Sequence, residues 1–255
     1  MCFGWIMGQN SRKMQIAAID MKKPNHFRAR ISKDDVNALP LAAFKGSVFI
    51  VNNAGDAEMA LDYLEQQEVV GVDTETRPAF NRGEHHPTAL LQIATRERCY
   101  LFQLFQVGFT PRMAALFANP DICKVGLAFK DDLAGLKRLS PFVPGNCVDL
   151  QRIVLAYGIL DLGLQKMFAI VFGRRISKAQ QLTNWEQPVL SAEQATYAAT
   201  DAWATLLIYQ ELQKTKKLPK KEYTALREAD LRLQQQHQLE VQKQRLLTIE
   251  QNNLQ

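Results

Sequence analysis

A chain of 255 residues, 47% of them apolar, can bury a substantial core, and its length suits one domain of about 150 to 200 residues with extensions. No stretch approaches the ~20 continuous apolar residues of a membrane helix, and the opening MCFGWIM has neither the basic leader nor the cleavage site of a signal peptide. The net charge of +5 is unevenly spread. Residues 1–45 hold eight Lys/Arg against three Asp/Glu, residues 214–255 hold nine against five, and the stretch between them is acidic at −4.

In chain order, residues 1–45 read as an irregular basic arm, broken by Pro24 and Pro40, with at most a short helix near Lys33 to Leu39. From Gly46 the pattern alternates. SVFIVNN predicts a strand, GDAEMALDYLEQ a helix and EVVGVDTE a buried, valine-rich strand. A polar loop from Arg77 to Pro87 precedes TALLQIAT and RCYLFQL, which form a hairpin. A helix over Pro111 to Phe117, the strand ICKVGLA and the helix DDLAGLKRL come next. CVDL is a short strand leading into a helix through Ala156, and LGLQKMFAIVF is a further helix. The longest helix is expected from about Ser191 to Leu212, opened by a capping box of Ser191 and Gln194. Residues 215–255 begin in a run of lysines and continue as a Gln- and Leu-rich extension that reads as helical but holds no heptad. Strands of both kinds mixed with helices predict an α/β domain with a mixed sheet over residues 46–214.

Cys2, Cys99, Cys123 and Cys147 lack CxxC spacing and partnered histidines, so they read as small buried hydrophobes in a reducing, cytoplasmic setting. The acidic residues are more telling. In VVGVDTET, strand alternation projects Asp73 and Glu75 to one face and Thr74 to the other. Two carboxylates at the end of a buried strand repel unless a cation lies between them, and Mg²⁺ or Mn²⁺ is the natural oxygen-loving choice. In KVGLAFKDDLAGL a tight turn leads to Asp131 and Asp132. One acid there is ordinarily an N-cap, which leaves the other free. In YAATDAWATLLIY, Tyr197 and Asp201 are four apart on one helix face, with Ala198, Ala199 and Ala202 around them. Each signal alone is commonplace.

Taken together and in this order, these motifs resemble the DEDD exonuclease superfamily, in the tyrosine-bearing branch of the ribonuclease D-like enzymes, and within it the Werner-helicase type of exonuclease domain. NRGEHHPTALLQIA, RCYLFQL, LGLQKM and QLTNWEQPVLSAEQ share in the likeness. The resemblance implies a ribonuclease H-like mixed sheet flanked by helices. It also implies 3′→5′ hydrolysis of nucleic acid, DNA or RNA, from a free 3′ end, with release of nucleoside 5′-monophosphates. Asp73, Glu75, Asp132 and Asp201 become ligands of two divalent cations, Mg²⁺ or Mn²⁺. Tyr197 becomes the residue that orients the attacking water or relays its proton. Asp132 is preferred to Asp131 because the family's aspartate lies eight residues after the lysine of K-x-G, here Lys124.

Arg77 is a candidate contact for a phosphate or the terminal nucleotide. Lys178 and Trp185 are candidates to line the strand's path, Trp185 as a stacking surface. His85 and His86 lack metal-ligand spacing. No GxxxxGK[ST] phosphate loop is present, so a helicase would have to act in trans. The competing readings are a ribonuclease H-like endonuclease or a nuclease specialised for structured RNA, a non-catalytic nucleic-acid binding module of the same fold, and an adaptor acting through the C-terminal helix.

Overall fold

The computed structural model describes residues 27–253 other than 80 and 82; Cys2 and the first 26 residues of the predicted arm lie outside the described residues. Six strands form one mixed sheet: β1 (Ser47–Val51), β2 (Val69–Thr76), β3 (Thr88–Ala94), β4 (Arg98–Gln103), β5 (Cys123–Gly126) and β6 (Cys147–Asp149), in the order β1-β4-β3-β2-β5-β6. β3 is antiparallel to both β2 and β4, while β1 runs parallel to β4 and β2, β5 and β6 run parallel to one another. The β3–β4 hairpin is therefore as predicted. Its turn is closed by Thr95, whose hydroxyl accepts from the Arg98 amide at 3.1 Å.

Helices cover both faces. On one side, α2 (Ala54–Leu64), α4 (Pro111–Ala118) and α5 (Phe129–Leu139) bury Leu61, Leu64, Met113, Phe117, Phe129 and Leu136 against Val70, Val72, Leu91 and Ile93. On the other, α8 (Ala192–Gln213) runs across the sheet and sets Ala198, Ala199 and Ala202 against Leu90, Ala94 and Leu101. The alternation of β2 explains both sides: Val70 and Val72 feed one core, while Gly71, Asp73 and Glu75 face α8. α7 (Leu164–Phe172) packs beside α8, and α1 (Lys33–Ala38) buries Val36 beside Ala169 of α7. Residues 27–45 are therefore docked onto the domain, with Ala42 donating to the Arg175 carbonyl at 2.7 Å.

Two expectations are corrected and one element is added. The helix after β6 is only α6 (Leu150–Ile153), followed by a tighter 3-10 turn over Val154–Tyr157 that ends at Gly158, where φ is +82°. A short helix, α3 (Leu104–Val107), follows β4 unannounced. α8 is not the longest helix: α9 (Lys220–Asn253) runs 34 residues, through a segment with no glycine or proline to stop it. Among the described residues no helix is long and apolar enough to cross a membrane. Cys99 and Cys123 are buried and Cys147 half-buried, all as free thiols.

Candidate active site

Gly71 determines how closely α8 approaches β2. A Cβ built there would stand 2.0 Å from the Ala202 carbonyl oxygen, so helix backbone rests directly on strand backbone. Asp201, one residue earlier on α8, is thereby brought to Asp73 and Glu75. The three carboxylates can offer ligand oxygens that all lie within 4.8 Å of one another.

Several contacts hold the helix in this place. The Ser191–Gln194 capping box opens it, and Gln194 Nε2 donates to the Thr183 hydroxyl at 3.0 Å and the Asn184 carbonyl at 3.2 Å. Further along, the Thr205 hydroxyl donates to the Val125 carbonyl of β5 at 3.1 Å, and the Phe44 amide donates to the Thr200 hydroxyl at 3.0 Å.

Asp132 arrives from the other side. α5 begins earlier than its acids suggest: its N-cap is Ala128, in the left-handed region at φ +51°, and neither Asp131 nor Asp132 caps it. The Asp149 carboxylate holds this turn by accepting from the Ala128 amide at 3.1 Å. Asp131 is left exposed. Asp132 is half-buried and accepts a short hydrogen bond from the Thr74 hydroxyl. Thr74, pointing away from Asp73 and Glu75, thus becomes the link to the fourth acid. Asp132 itself lies outside the group of three, though near enough to disfavour ionisation of Asp73 and Glu75.

Burial is the chief cause of the site's electrostatics. Desolvation, then Asp201, Asp132 and Glu75, holds the Asp73 carboxyl well above the usual range. Glu75 is pushed up to about 8 by desolvation and by Asp201 and Asp132. Asp201 rises to about 7 through desolvation, partly offset by a hydrogen bond from the Tyr197 hydroxyl and by the charge of Lys178. Asp132 rises to about 6 through burial, opposed by its bond from Thr74. The Tyr197 phenol is driven up by burial and by Asp201, so it stays protonated and acts as a donor. An oxygen-only cluster that resists ionisation in the absence of a counter-charge has the donor chemistry that divalent magnesium or manganese requires.

The other predicted residues divide. Lys178 is exposed and near enough to Asp201 to favour its charged form. Arg77 is exposed and pairs with Glu186 at 3.6 Å. His86 bonds Glu84 at 2.8 Å and approaches Glu186 at 4.0 Å, which ties the β2–β3 loop to the segment before α8. Trp185 differs from expectation. It is completely enclosed and packs against Tyr197, so its ring presents no face to a nucleotide base. Gly71, not singled out from sequence, contributes most to the geometry, together with two contacts that the sequence does not show: Thr74 to Asp132, and Gln194 to Thr183 and Asn184. The glycine within a valine-rich strand was the readable sign of a close backbone approach.

The strand order and the helix laid across it are those of a ribonuclease H-like nuclease fold. The chain belongs to the 3′→5′ exonuclease domain family, which it matches over residues 48–217. It is 30% identical over 187 residues to the bifunctional 3′→5′ exonuclease/ATP-dependent helicase WRN of Mus musculus, a match covering 68% of this chain and 13% of that protein. With the exonuclease mut-7 homolog of Homo sapiens it shares 28% identity over 184 residues, 58% of this chain and 20% of that one. The chain therefore spans a small part of these curated relatives.

Among solved structures, ribonuclease D of Escherichia coli, an exoribonuclease involved in structured RNA processing, superposes with a TM-score of 0.60 at 21% identity, covering 72% of this chain and 49% of that one. The Nibbler EXO domain of Aedes aegypti superposes at 0.59 with 24% identity, covering 70% and 94%. At such identities the likeness establishes the fold.

Proposed function

We propose that this chain removes nucleotides one at a time from the 3′ end of a nucleic acid, by divalent-cation-dependent hydrolysis that releases nucleoside 5′-monophosphates. The observation that carries this reading is the meeting of Asp73, Glu75 and Asp201, from β2 and α8, within 4.8 Å. Asp73, Glu75 and Asp201 would hold one cation, and Asp73 with Asp132 a second. When bound, such a pair of Mg²⁺ or Mn²⁺ ions polarises the attacking water and offsets charge on the departing 3′ oxygen.

The chain's own residues do the rest. Asp73, Glu75, Asp132 and Asp201 carry the negative charge that selects divalent cations. Tyr197, firmly protonated and bonded to Asp201, is suited to orient a water beside that carboxylate rather than to take its proton. Lys178 stands where a phosphate near Asp201 would meet a positive charge, and Arg77 would exchange Glu186 for a phosphate of the incoming strand. Trp185, fully buried, packs against the Tyr197 ring and helps hold it in place.

A ligand set of this kind would engage the phosphate of either polymer, so discrimination between RNA and DNA falls to contacts with the 2′ position. A 5′-labelled oligonucleotide shortened stepwise in Mg²⁺ and left intact in EDTA is the expected result, with matched RNA and DNA strands compared side by side. Internal cleavage, or full turnover in EDTA, would overturn the reading.

A further inference from the structure

Gln92 lies within β3 and is completely buried, yet among the described residues neither its amide nitrogen nor its amide oxygen has a hydrogen-bond partner. Native interiors rarely leave both ends of a primary amide unsatisfied, because an apolar side chain of similar size would fill the space without that penalty. The contrast with Gln103 on β4 is direct. That side chain is also completely buried, but its Nε2 donates to the Gln187 and Pro188 carbonyls at 3.2 and 3.3 Å, and its Oε1 accepts from Gln106 at 3.0 Å. Gln103 has a structural task, and among the described residues Gln92 has none.

Its register shows where a task lies. Gln92 stands directly opposite Asp73 on β2 and Leu101 on β4. On its own strand, Leu90 and Ala94 share its face, the face covered by Ala198, Ala199 and Ala202 of α8. Directly opposed residues of antiparallel strands have Cβ atoms about 4.5–5.5 Å apart, within the reach of a glutamine side chain. The polar group set across from this amide is the carboxylate of Asp73, one of the three that converge on the site.

We propose that Gln92 is a positioning residue for Asp73: its Nε2–H donates to the carboxylate lone pair turned away from the cation, and so fixes the rotamer in which Asp73 serves as ligand. The inference rests on the proposed function, since it takes Asp73 to be a cation ligand. A ligating carboxylate has spare acceptor sites, and outer partners that occupy them typically account for about 10- to 100-fold in metal affinity. The task that no described residue of the fold gives the Gln92 amide is then the orientation of Asp73.

The test is calorimetric titration of Mn²⁺ into the full chain, with thermal unfolding in EDTA measured in parallel. The proteins are wild type, Asp73→Asn, Gln92→Met and Gln92→Leu. Methionine keeps the length and flexibility of glutamine without the amide, and leucine guards against a packing artefact peculiar to methionine. In both Gln92 variants the Mn²⁺ dissociation constant is expected to rise about tenfold or more, while the Tm in EDTA stays equal to wild type or increases. In the assay, kcat falls with KM unchanged. Wild-type Mn²⁺ affinity in both variants would overturn the proposal, and so would a fall in EDTA Tm matching the loss of affinity, because that would assign Gln92 to packing. If wild type and Asp73→Asn bind Mn²⁺ alike, it is the ligand role of Asp73 that fails, an outcome distinct from failure at Gln92.

Discussion

The rings of Trp185 and Tyr197 lie 6.0 Å apart between centroids and are inclined at 32°, with the indole completely enclosed and the phenol at the edge of the carboxylate site. The Tyr197 hydroxyl donates to Asp201, and its ring packs against the indole. Removing only the hydroxyl, in Tyr197→Phe, should preserve fold and cation binding and lower kcat by about 10²-fold, with little change in KM. Steady-state kinetics on a labelled oligonucleotide reads this, and wild-type turnover would reduce Tyr197 to packing. Trp185→Ala should destabilise the protein by about 3–5 kcal/mol, as expected for a buried aromatic. A variant with wild-type Tm and weakened substrate binding would restore the stacking role that burial argues against.

The parts of the site that follow local rules were legible in the sequence. Strand alternation placed Asp73 with Glu75, helical spacing placed Tyr197 with Asp201, and the Ser191–Gln194 box marked where α8 begins. What escaped depends on how elements approach one another. That Trp185 faces inward is decided by Gln194, which anchors Thr183 and Asn184 to the helix start. That Thr74 reaches Asp132 depends on α5 crossing the back of β2, and no spacing along the chain encodes it. The length of α9 was missed for a different reason. Its Leu, Gln, Lys and Glu residues favour helix everywhere, so no terminating signal appears before the end of the chain.

Gly71 gives the sharpest test of that approach. Gly71→Ala must displace α8 from β2, since the new methyl would stand 2.0 Å from the Ala202 carbonyl, with Thr205 and Leu206 atoms also within 3 Å. Overpacking of this kind costs about 1–3 kcal/mol or more, and a shift of about 1 Å in Asp201 is enough to lower activity ~10²-fold. Gly55→Ala is the control. Its methyl would meet only Asn53 Oδ1 at 3.4 Å near the start of α2, and it should gain about 0.5–1 kcal/mol. Equal Tm values for the two variants would contradict the close approach.

Asp131 and Asp132 are neighbours in sequence with different surroundings. Asp132→Asn should sharply reduce turnover, and Thr74→Val, which removes the donor to Asp132 without changing shape, should reduce it less. Asp131→Asn alters an exposed side chain and should stay near wild type. A reversal of the two aspartate effects in the same kinetic assay would show that the second acid was placed in the wrong register.

The raised carboxyls link stability to pH in a direction that can be worked out. Glu75 moves from its ordinary 4.5 to about 8, and Asp201 from 3.8 to about 7. Each therefore holds its proton more tightly folded than unfolded. The associated stability is fully present below the unfolded pKa and is lost as pH rises through the folded one. In EDTA the Tm should accordingly fall between about pH 5 and pH 8. Divalent cations reverse the dependence: their binding releases protons, so Mn²⁺ affinity should climb across the same window. Differential scanning calorimetry at several pH values checks the first part, and a Tm that rises through the window in EDTA would refute it.

The last prediction concerns the lysines of the α8–α9 connection and the first turn of α9. Lys214, Lys216, Lys217, Lys220 and Lys221 are all exposed, beside a body whose residues 46–213 carry a net −4. Outright deletion of the extension would confuse charge with packing. The Leu218 amide donates to the Ala156 carbonyl at 2.7 Å, and Asp230 of α9 pairs with Arg30 at 2.5 Å, so the segment also braces the domain. Charge-removing Lys→Gln substitutions at Lys216, Lys220 and Lys221 leave those contacts in place. If these lysines meet the strand, each phosphate that is no longer neutralised should flatten the dependence of log K on log salt by about 0.7. The kcat at saturating substrate should persist, because none of the proposed cation ligands lies there. Fluorescence anisotropy with a labelled single strand at several salt concentrations gives the slope. An unchanged slope and KM would mean that these lysines only keep the helix start solvated.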